Sequence, residues 1–265
     1  MKTVVKVLLA VTVLITFLLL SCKKESSQNV NKQKVRIYLT DNPVNFQAVN
    51  INILKVEVKV EVEVDSAGVE HEFWESLIIR PGIYNILNFR NGVDTLFAQG
   101  YITKGEIKKI RITLGTGNSV MVDSVTYPLT LKKPQVIIDV DDISVINPND
   151  IKLNLDFDAC GSIIKINNNQ FELQPKIRTF SDDHDGRIEG VVTPREAGAI
   201  VSVTFGNQTL LAIPERDGKF KIRGIKAGTV DLIVNATANG YRDTIIKNII
   251  VGNKEVKLPT IVLRK

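Results

Sequence analysis

The chain has 265 residues, with 34 lysines and arginines against 29 aspartates and glutamates, and two cysteines. Hydrophobic residues make up 44% and charged residues 24%, which are ordinary proportions for a globular protein. These figures exclude a disordered chain, a collagen-like repeat and a disulfide-rich miniprotein. The length predicts one or two domains, each large enough to bury its own core.

The chain opens on a segment with the layout of a secretory signal peptide. Lys2 and Lys6 form a positively charged start, an apolar run follows from Val7 to Leu20, and a small residue precedes Cys22. The run is shorter than the ~20 residues that a membrane-spanning helix needs, so a retained transmembrane anchor is the less favoured alternative. We therefore expect this segment to be removed from the mature protein.

The end of the segment, Leu19–Cys22 with the sequence LLSC, resembles the bacterial lipobox. The resemblance implies that residues 1–21 are cleaved off and that the Cys22 thiol carries a lipid anchor. Lys23 stands where lipoproteins retained in the inner membrane usually have aspartate. The predicted location is thus the outer membrane, with the side it faces left open. A plain signal peptide ending near a cysteine is the alternative.

Charge is distributed unevenly along the predicted mature chain. Residues 22–33 hold 3 basic and 1 acidic residue and almost nothing apolar, which predicts a flexible tether. Residues 34–180 hold 16 basic and 18 acidic residues, whereas residues 187–265 hold 13 and 7. The positive charge therefore comes from the tether and the C-terminal part, and it does not form a long basic stretch. Together with the predicted location, this argues against nucleic acid as a partner.

Alternation of apolar and charged residues predicts β-strands. From Val56 to Val64 every second residue is valine and the residues between are lysine or glutamate, so the valines share one face. Residues 65–68 have turn chemistry, and Val69 to Leu77 is expected to return as a hairpin partner. Asn91 to Gln99 is a candidate for a single helical turn. Further strands are predicted at Lys109–Leu114, Ser119–Asp123, Tyr127–Leu131, Val136–Val140, Ile151–Phe157 and Phe171–Phe180.

These patterns predict an all-β protein of two β-sandwich domains. The densest polar segment, residues 181–186, lies between two strand patterns and holds three aspartates. We interpret it as an acidic, solvated linker between an N-terminal sandwich at 34–180 and a C-terminal sandwich at 187–265.

Two acidic clusters offer an alternative interpretation as calcium ligands. Asp183 and Asp185 alternate within the linker, and Asp139 and Asp141 form a second cluster. The linker aspartates do not match the helix–loop–helix calcium loop. A structural Ca²⁺ is therefore the weaker hypothesis at both places, and no other cofactor or metal is predicted.

Residues 187–265 carry motifs of a known family. The opening strand Ile188–Thr193, the segment Asp217–Gly228 with the sequence DGKFKIRGIKAG, and Gly240-Tyr241 resemble carboxypeptidase-regulatory-like, transthyretin-type (prealbumin-like) domains. The resemblance implies a sandwich that closes with a strand from Val256 to Leu263. Val230 departs from the pattern, which usually has an aromatic there. The resemblance is informative about fold and nearly silent about function.

The physical properties of the same segment agree with this resemblance. Asp217-Gly218 is predicted to make a tight turn, and Gly228 to begin the next strand. Three apolar residues between them are expected to point inward: Phe220, Ile222 and Ile225.

The first half also resembles a family. Residues 39–43 (LTDNP), 81–87 (PGIYNIL) and 91–96 (NGVDTL) occur in that order in an uncharacterised family of bacterial lipoprotein domains, and two later segments, 110–115 and 155–163, fit the same pattern. The similarity extends over about residues 35–180. It implies an envelope context and no activity, because that family has no established one.

A search for catalytic motifs finds none. The chain has two histidines and contains no H-E-x-x-H, G-x-S-x-G or P-loop sequence. Cys160 follows a predicted strand and is interpreted as a small structural residue, because a catalytic thiol needs a histidine partner. Asp156 and Asp158 share one strand face and, with Asp41, are candidates for a carboxylate-based hydrolase. Capping or backbone hydrogen bonding is the expected role of the pair Asp156 and Asp158.

A row of cations is a further candidate binding feature. Lys219, Lys221 and Arg223 share a strand face and could bind acidic glycans, although a solvated face is the expected interpretation.

Two hypotheses about function follow. The favoured one is a non-catalytic, lipid-anchored envelope protein that binds a glycan or a partner protein or has a structural role. The alternative is an envelope glycan hydrolase with its site assembled from scattered aspartates.

Four sites match a short Asp-Ser/Thr-apolar pattern that is O-glycosylated on exported proteins of some Gram-negative bacteria. The candidate acceptors are Ser66, Thr95, Ser124 and Thr244. Ser66 is favoured because it is predicted to lie at a hairpin tip, where loops are accessible.

Overall fold

A computed structural model of the chain describes residues 31–42, 46–64, 69–89, 93, 95–140, 150–206 and 208–265. Residues Gln33–Lys265 form one compact unit. The predictions made for Cys22, Ser66 and Asp141 lie outside the described residues. No helix in the described part of the chain is long and apolar enough to cross a bilayer.

Strands dominate the described residues, which confirms the all-β prediction. The N-terminal half contains fourteen of them: β1 (Lys32–Asn42), β2 (Ala48–Val64), β3 (Val69–Ser76), β4 (Ile78–Ile79), β5 (Gly82–Asn85), β6 (Thr95–Thr103), β7 (Glu106–Leu114), β8 (Ser119–Val122), β9 (Val125–Leu131), β10 (Gln135–Asp139), β11 (Asp150–Asp158), β12 (Ile163–Asn167), β13 (Gln170–Leu173) and β14 (Ile177–Phe180). A 3₁₀ turn covers Ile86–Phe89, and a one-turn helix, α1, covers Ala159–Ser162.

The strands of the N-terminal half form two sheets. One has five strands in the order β14-β11-β1-β6-β4, and β1 pairs parallel with β11. The other has nine strands in the order β10-β7-β2-β8-β9-β13-β12, with β3 and β5 also paired to β2. Side chains from both sheets form a single buried cluster, so this half is a β-sandwich.

The long strand β2 shows why the alternation predicts the fold correctly. Val56, Val58 and Val60 are fully buried, and β3 returns antiparallel along β2 as the predicted hairpin partner. The opposite face carries the charged residues, yet Glu57 is only 6% exposed. Arg111 and Lys55 cover its carboxylate, with the donor nitrogens 2.8 and 2.7 Å from it.

Two predicted elements differ from the structure. The run Phe171–Phe180 is divided into β13 and β14, because Pro175 interrupts the strand ladder. The helical turn predicted at Asn91–Gln99 is wrong for its described residues from Thr95 onward, which belong to β6. There Phe97 and Ala98 are buried, and Ala98 pairs with Ile79 of β4, so burial in a sheet outweighs the local helical tendency.

The C-terminal half contains eight further strands: β15 (Gly186–Thr193), β16 (Ala199–Phe205), β17 (Gln208–Ala212), β18 (Lys219–Ile225), β19 (Gly228–Ala236), β20 (Thr244–Val251), β21 (Glu255–Lys257) and β22 (Ile261–Val262). One sheet has the order β18-β15-β21 with β22 also on β15, and the other has the order β17-β16-β19-β20. A short 3₁₀ turn, Arg195–Ala197, connects β15 to β16. The two sheets enclose a second hydrophobic cluster, distinct from the first.

The features expected of the second half are largely present. Phe220, Ile222 and Ile225 are buried, and β19 begins at Gly228. The expected closing strand is split into β21 and β22, with Pro259 between them, and both pair parallel with β15.

Candidate functional site: the cleft between the two halves

The segment between the halves is an ordered turn. Ser181 and Asp185 are 2% and 3% exposed, so the solvated linker expected from composition is wrong for these two residues. The Ser181 backbone N–H donates to the Asp185 carboxylate at 2.9 Å, and the Asp185 N–H donates back to the Ser181 carbonyl at 2.8 Å. This mutual pairing shapes the segment because burial requires its polar groups to be satisfied within the protein.

Arg178, on β14, connects the two halves. Its Nε donates to Asp156 Oδ2 at 2.7 Å, while Nη1 and Nη2 donate to the carbonyls of Gly224 and Arg223 at 2.9 and 3.1 Å. Asp156 belongs to the first half and the two carbonyls belong to β18 of the second. The guanidinium therefore uses its fork of donors to hold a carboxylate on one side and backbone on the other.

Arg223 makes the reciprocal contacts from the second half. It forms an ion pair with Asp182, and its Nη2 donates to Asn154 Oδ1 at 3.3 Å. The buried ring of Phe180 lies within reach of both guanidinium groups, whose Cζ atoms are 5.0 Å (Arg178) and 5.3 Å (Arg223) from the ring centroid. Hydrogen bonds and cation–π contacts thus act together at this junction.

Gly224 allows this close approach. Its φ is +71°, and a Cβ built there would lie 2.6 Å from Arg178 Nη1 and 2.7 Å from Phe180 Cγ. Any larger residue would push the guanidinium and the ring away and would strain the backbone.

A cleft of about 440 Å³ opens beside this junction. Clefts between packed units are common positions for binding sites. Its lining comes from both halves: Val136–Ile138 of β10, Asp156 and Asp158 of β11, Pro175–Arg178 around the start of β14, and Gln208–Leu210 of β17. Two of the three candidate aspartates, Asp156 and Asp158, therefore do line a cleft.

Those carboxylates are engaged in structural contacts. Asp156 is 3% exposed and paired with Arg178. Asp158 caps α1, since its Oδ1 accepts the Gly161 N–H at 2.8 Å. Asp41 is 5% exposed, and its Oδ1 accepts the Ala159 N–H at 3.3 Å. Asp41 and Asp158 thus both accept backbone N–H groups at the N-terminal end of one helical turn.

Cys160, within that turn, is exposed rather than buried. Partial burial of the thiol, followed by the nearby charges of Asp158 and Asp41, raises its pKa. A raised pKa keeps the thiol protonated, whereas nucleophilic cysteines need the thiolate.

The calcium candidates are dispersed. Asp139 pairs with Lys109 at 2.7 Å, Asp185 pairs with Lys226 at 3.2 Å, and Asp183 is exposed. No group of three or more potential metal ligands occurs within the described ranges. Because Asp141 lies outside them, calcium binding stays a prediction.

The cationic row on β18 is neutralised by acids. Lys219 pairs with Asp217 at 2.7 Å, Lys221 with Glu189, and Arg223 with Asp182. The row therefore presents little free positive charge to an acidic ligand.

The glycosylation candidates differ in accessibility. Thr95 and Thr244 are half-buried, whereas Ser124 is exposed in the two-residue turn between β8 and β9. The positive φ of Asp123 and Ser124, 48° and 64°, fits such a hairpin turn. Ser124 is the described candidate that best meets the accessibility argument, and modification stays a prediction.

Sequence reasoning missed the residues that build the junction. Arg178 and Phe180 stand two apart on a strand and so share a face, as Asn154 and Asp156 do. The sequence does contain a signal of a buried polar contact. In one strand an arginine alternates with an aromatic residue, and in another strand a polar pair lies among large apolar residues.

The architecture defines a class: an all-β protein of two sandwiches joined by an ordered polar junction. A family described as "Domain of unknown function (DUF4382)" matches residues 32–175, more than half of the chain. The chain belongs to this family, whose match coincides closely with the N-terminal sandwich. None of the curated proteins matches the chain.

Among solved structures, those that align with the chain at low similarity include two pilins and the TIE protein of Bacillus anthracis. The shaft pilin SpaA of Lactobacillus rhamnosus GG has 11% identity and a TM-score of 0.24, covering 88% of this chain and 96% of that one. The minor pilin GBS52 of Streptococcus agalactiae has 10% identity and a TM-score of 0.21, covering 87% and 95%. The TIE protein of Bacillus anthracis has 12% identity and a TM-score of 0.24, covering 91% and 42%. At such TM-scores these alignments carry no argument about function.

Proposed function

We propose that this protein is a non-catalytic binding protein of the bacterial cell envelope. The proposal rests on one observation: the carboxylates of Asp41, Asp156 and Asp158 are each held by a structural partner. A general acid or nucleophile must be available to its substrate, and a carboxylate that caps a helix, or that is buried and paired with an arginine, is not.

A partner protein is the ligand that the surface favours over a glycan. The cations that could recognise an acidic glycan are paired, as described above. The residues that line the cleft between the halves are half apolar and half polar or charged, a mixture typical of surfaces that bind polypeptides.

The envelope location rests on the N-terminal sequence. We propose that Cys22 carries the lipid and that residues 22–31 tether the two sandwiches to the outer membrane. The tether expected at 22–33 is wrong for its last two residues, because Lys32 and Gln33 belong to β1 and Gln33 is buried. Cys22→Ser should move the protein from the membrane to the soluble fraction, because stable anchoring needs the acyl chains that lipobox processing supplies. Cys160→Ser is the matched control and should stay membrane-bound. A mature protein without added lipid mass would overturn the anchor.

The hydrolase alternative is tested on the same purified protein. A glycan array identifies any sugar that binds, and hydrolysis assays on those sugars look for turnover. We expect no turnover. Turnover that disappears in Asp156→Asn, Asp158→Asn or Asp41→Asn, in a variant whose circular dichroism shows it folded, would replace the binding proposal with an enzyme.

A further inference from the structure

Sheet edges of three different sheets meet at the cleft between the halves. β10 ends the nine-stranded sheet, β14 ends the five-stranded sheet, and β17 ends a sheet of the second half. All three contribute residues to the lining. An edge strand carries backbone N–H and C=O groups with no partner strand, so it can pair with an added strand.

The hydrogen-bond register of β10 shows which of its backbone groups face outward. The Val140 N–H donates to the Lys108 carbonyl at 2.9 Å, and the Leu114 N–H donates to the Pro134 carbonyl at 2.7 Å. In an antiparallel pair such bonds alternate along the strand, so the even-numbered residues of β10 bond to β7. The N–H and C=O of Ile137 therefore point away from β7.

The same reasoning applies to β14. The Asp158 N–H donates to the Lys176 carbonyl at 2.9 Å, which places the backbone groups of Ile177 on the side away from β11. Further along the same edges, Thr179 Oγ1 lies 3.4 Å from the outward carbonyl of Asp139. The outward sides of the two edges thus face each other, and both isoleucines line the cleft.

The side chains around these open groups indicate the chemistry of an occupant. Ile137 is 55% exposed, and the half-buried Ile177 adds further apolar surface. Lys176 is exposed in the lining and forms no ion pair with any described residue. An occupant with alternating apolar residues and a carboxylate would bury the apolar surface and pair with this lysine.

We propose that the cleft binds an extended, acidic segment of a partner protein by adding it as a strand to β10. Backbone hydrogen bonds to Ile137 would supply affinity, and the apolar wall with Lys176 would supply selectivity. This inference rests on the proposed binding function and names its ligand class.

The test uses a phage-displayed library of linear peptides selected on the mature protein, followed by fluorescence anisotropy with the selected peptides. We expect the peptides to be rich in Asp or Glu among Val and Ile. Ile137→Pro removes an outward N–H without removing a ladder bond, and it should weaken binding about tenfold or more. Lys176→Glu should weaken the binding of the acidic peptides to a similar extent.

Lys165→Pro is the matched control, because it also removes an outward N–H from an edge strand, β12, which contributes no residue to the cleft lining. It should leave peptide binding unchanged. If Ile137→Pro fails to fold, hydrogen exchange on the unmodified protein decides instead, with the amides of Ile137 and Ile177 expected to become protected by bound peptide.

Two results would overturn the inference: a selection that enriches no peptide, or peptides that bind Ile137→Pro as tightly as the unmodified protein and protect neither amide. Neither result would contradict the proposed binding function, because the observation that contradicts that function is turnover of a glycan.

Discussion

Two arginine–carboxylate pairs in this protein have the same chemistry but different structural roles. At the junction, Arg178 binds the buried Asp156 and gives its remaining donors to carbonyls of the other half. On the outer face of the nine-stranded sheet, Arg111 binds the buried Glu57 and stacks on Trp74, with 4.1 Å from its Cζ to the ring centroid. The first pair connects two sandwiches, whereas the second only covers one sheet. What surrounds the pair, rather than the pair itself, determines its structural role.

Cutting the chain at the junction is the most severe test of this comparison, because it removes at once the hydrogen bonds that Arg178 donates to the Gly224 and Arg223 carbonyls of the other half. We predict that residues 187–265 still express as a soluble all-β domain with one cooperative unfolding transition, since they enclose their own hydrophobic cluster. Limited proteolysis of the mature protein should cut first in residues 22–31, before β1, and next near the exposed Asp183. An insoluble C-terminal half, together with a single transition for the whole chain, would show that the halves cannot fold apart.

Arg178→Met is expected to have the largest effect of the single substitutions. It leaves the Asp156 charge buried without its partner, which typically costs about 3–5 kcal/mol. Urea unfolding measures the loss. The double variant Asp156→Asn, Arg178→Met should recover a large part of it, because the uncompensated charge is gone. An Arg178→Met loss below about 1 kcal/mol would show that the junction contributes little.

Glu57→Gln should cost less, about 1.5–3 kcal/mol, the usual range for hydrogen bonds to a charged group. Hydrogen bonds, first from Arg111 and then from Lys55, hold the pKa of Glu57 below its usual value. A carboxyl with a lowered folded-state pKa adds stability that is present above its unfolded pKa of about 4.3 and is lost as the pH falls further. The difference between Glu57→Gln and the unmodified protein should therefore shrink below about pH 4. A difference that is independent of pH would contradict the ion pair.

Lys109→Ala should have the smallest effect. Its partner Asp139 is largely exposed, and the two groups meet in water at 2.7 Å. Exposed pairs contribute about 0–1 kcal/mol and are weakened by salt, so the change in unfolding free energy should fall near the measurement error. A clear loss that persists at high salt would mean that this face is organised more tightly than its exposure indicates.

The sequence predicts the strands well where burial follows a simple period. Val56, Val58 and Val60 alternate with charges because one side of β2 faces the core, and the period alone indicates this. The sequence-based prediction is wrong at Thr95–Gln99, because the pairing of β6 with β4 determines the conformation there.

The candidate site was only partly predictable from sequence. Asp156 and Asp158 were identified as a pair on one strand face, and both line the cleft. Arg178 could not be assigned as the partner of Asp156, because the register of β11 with β14 brings the two side chains together, and such a long-range contact leaves no local periodicity in the chain. The contact of Asp158 with the Gly161 N–H is local, and it agrees with the capping role expected from the sequence.

The position of β1 has a consequence for how the chain folds as it is made. β1 is an inner strand of its sheet, and its Lys34 lies beside Asp150, the first residue of β11. Contacts between segments so distant in sequence slow folding, because a large loop must close first. A chain that emerges from its N-terminus must therefore keep β1 without its parallel neighbour until β11 has appeared. During that interval the first strand remains available to chaperones.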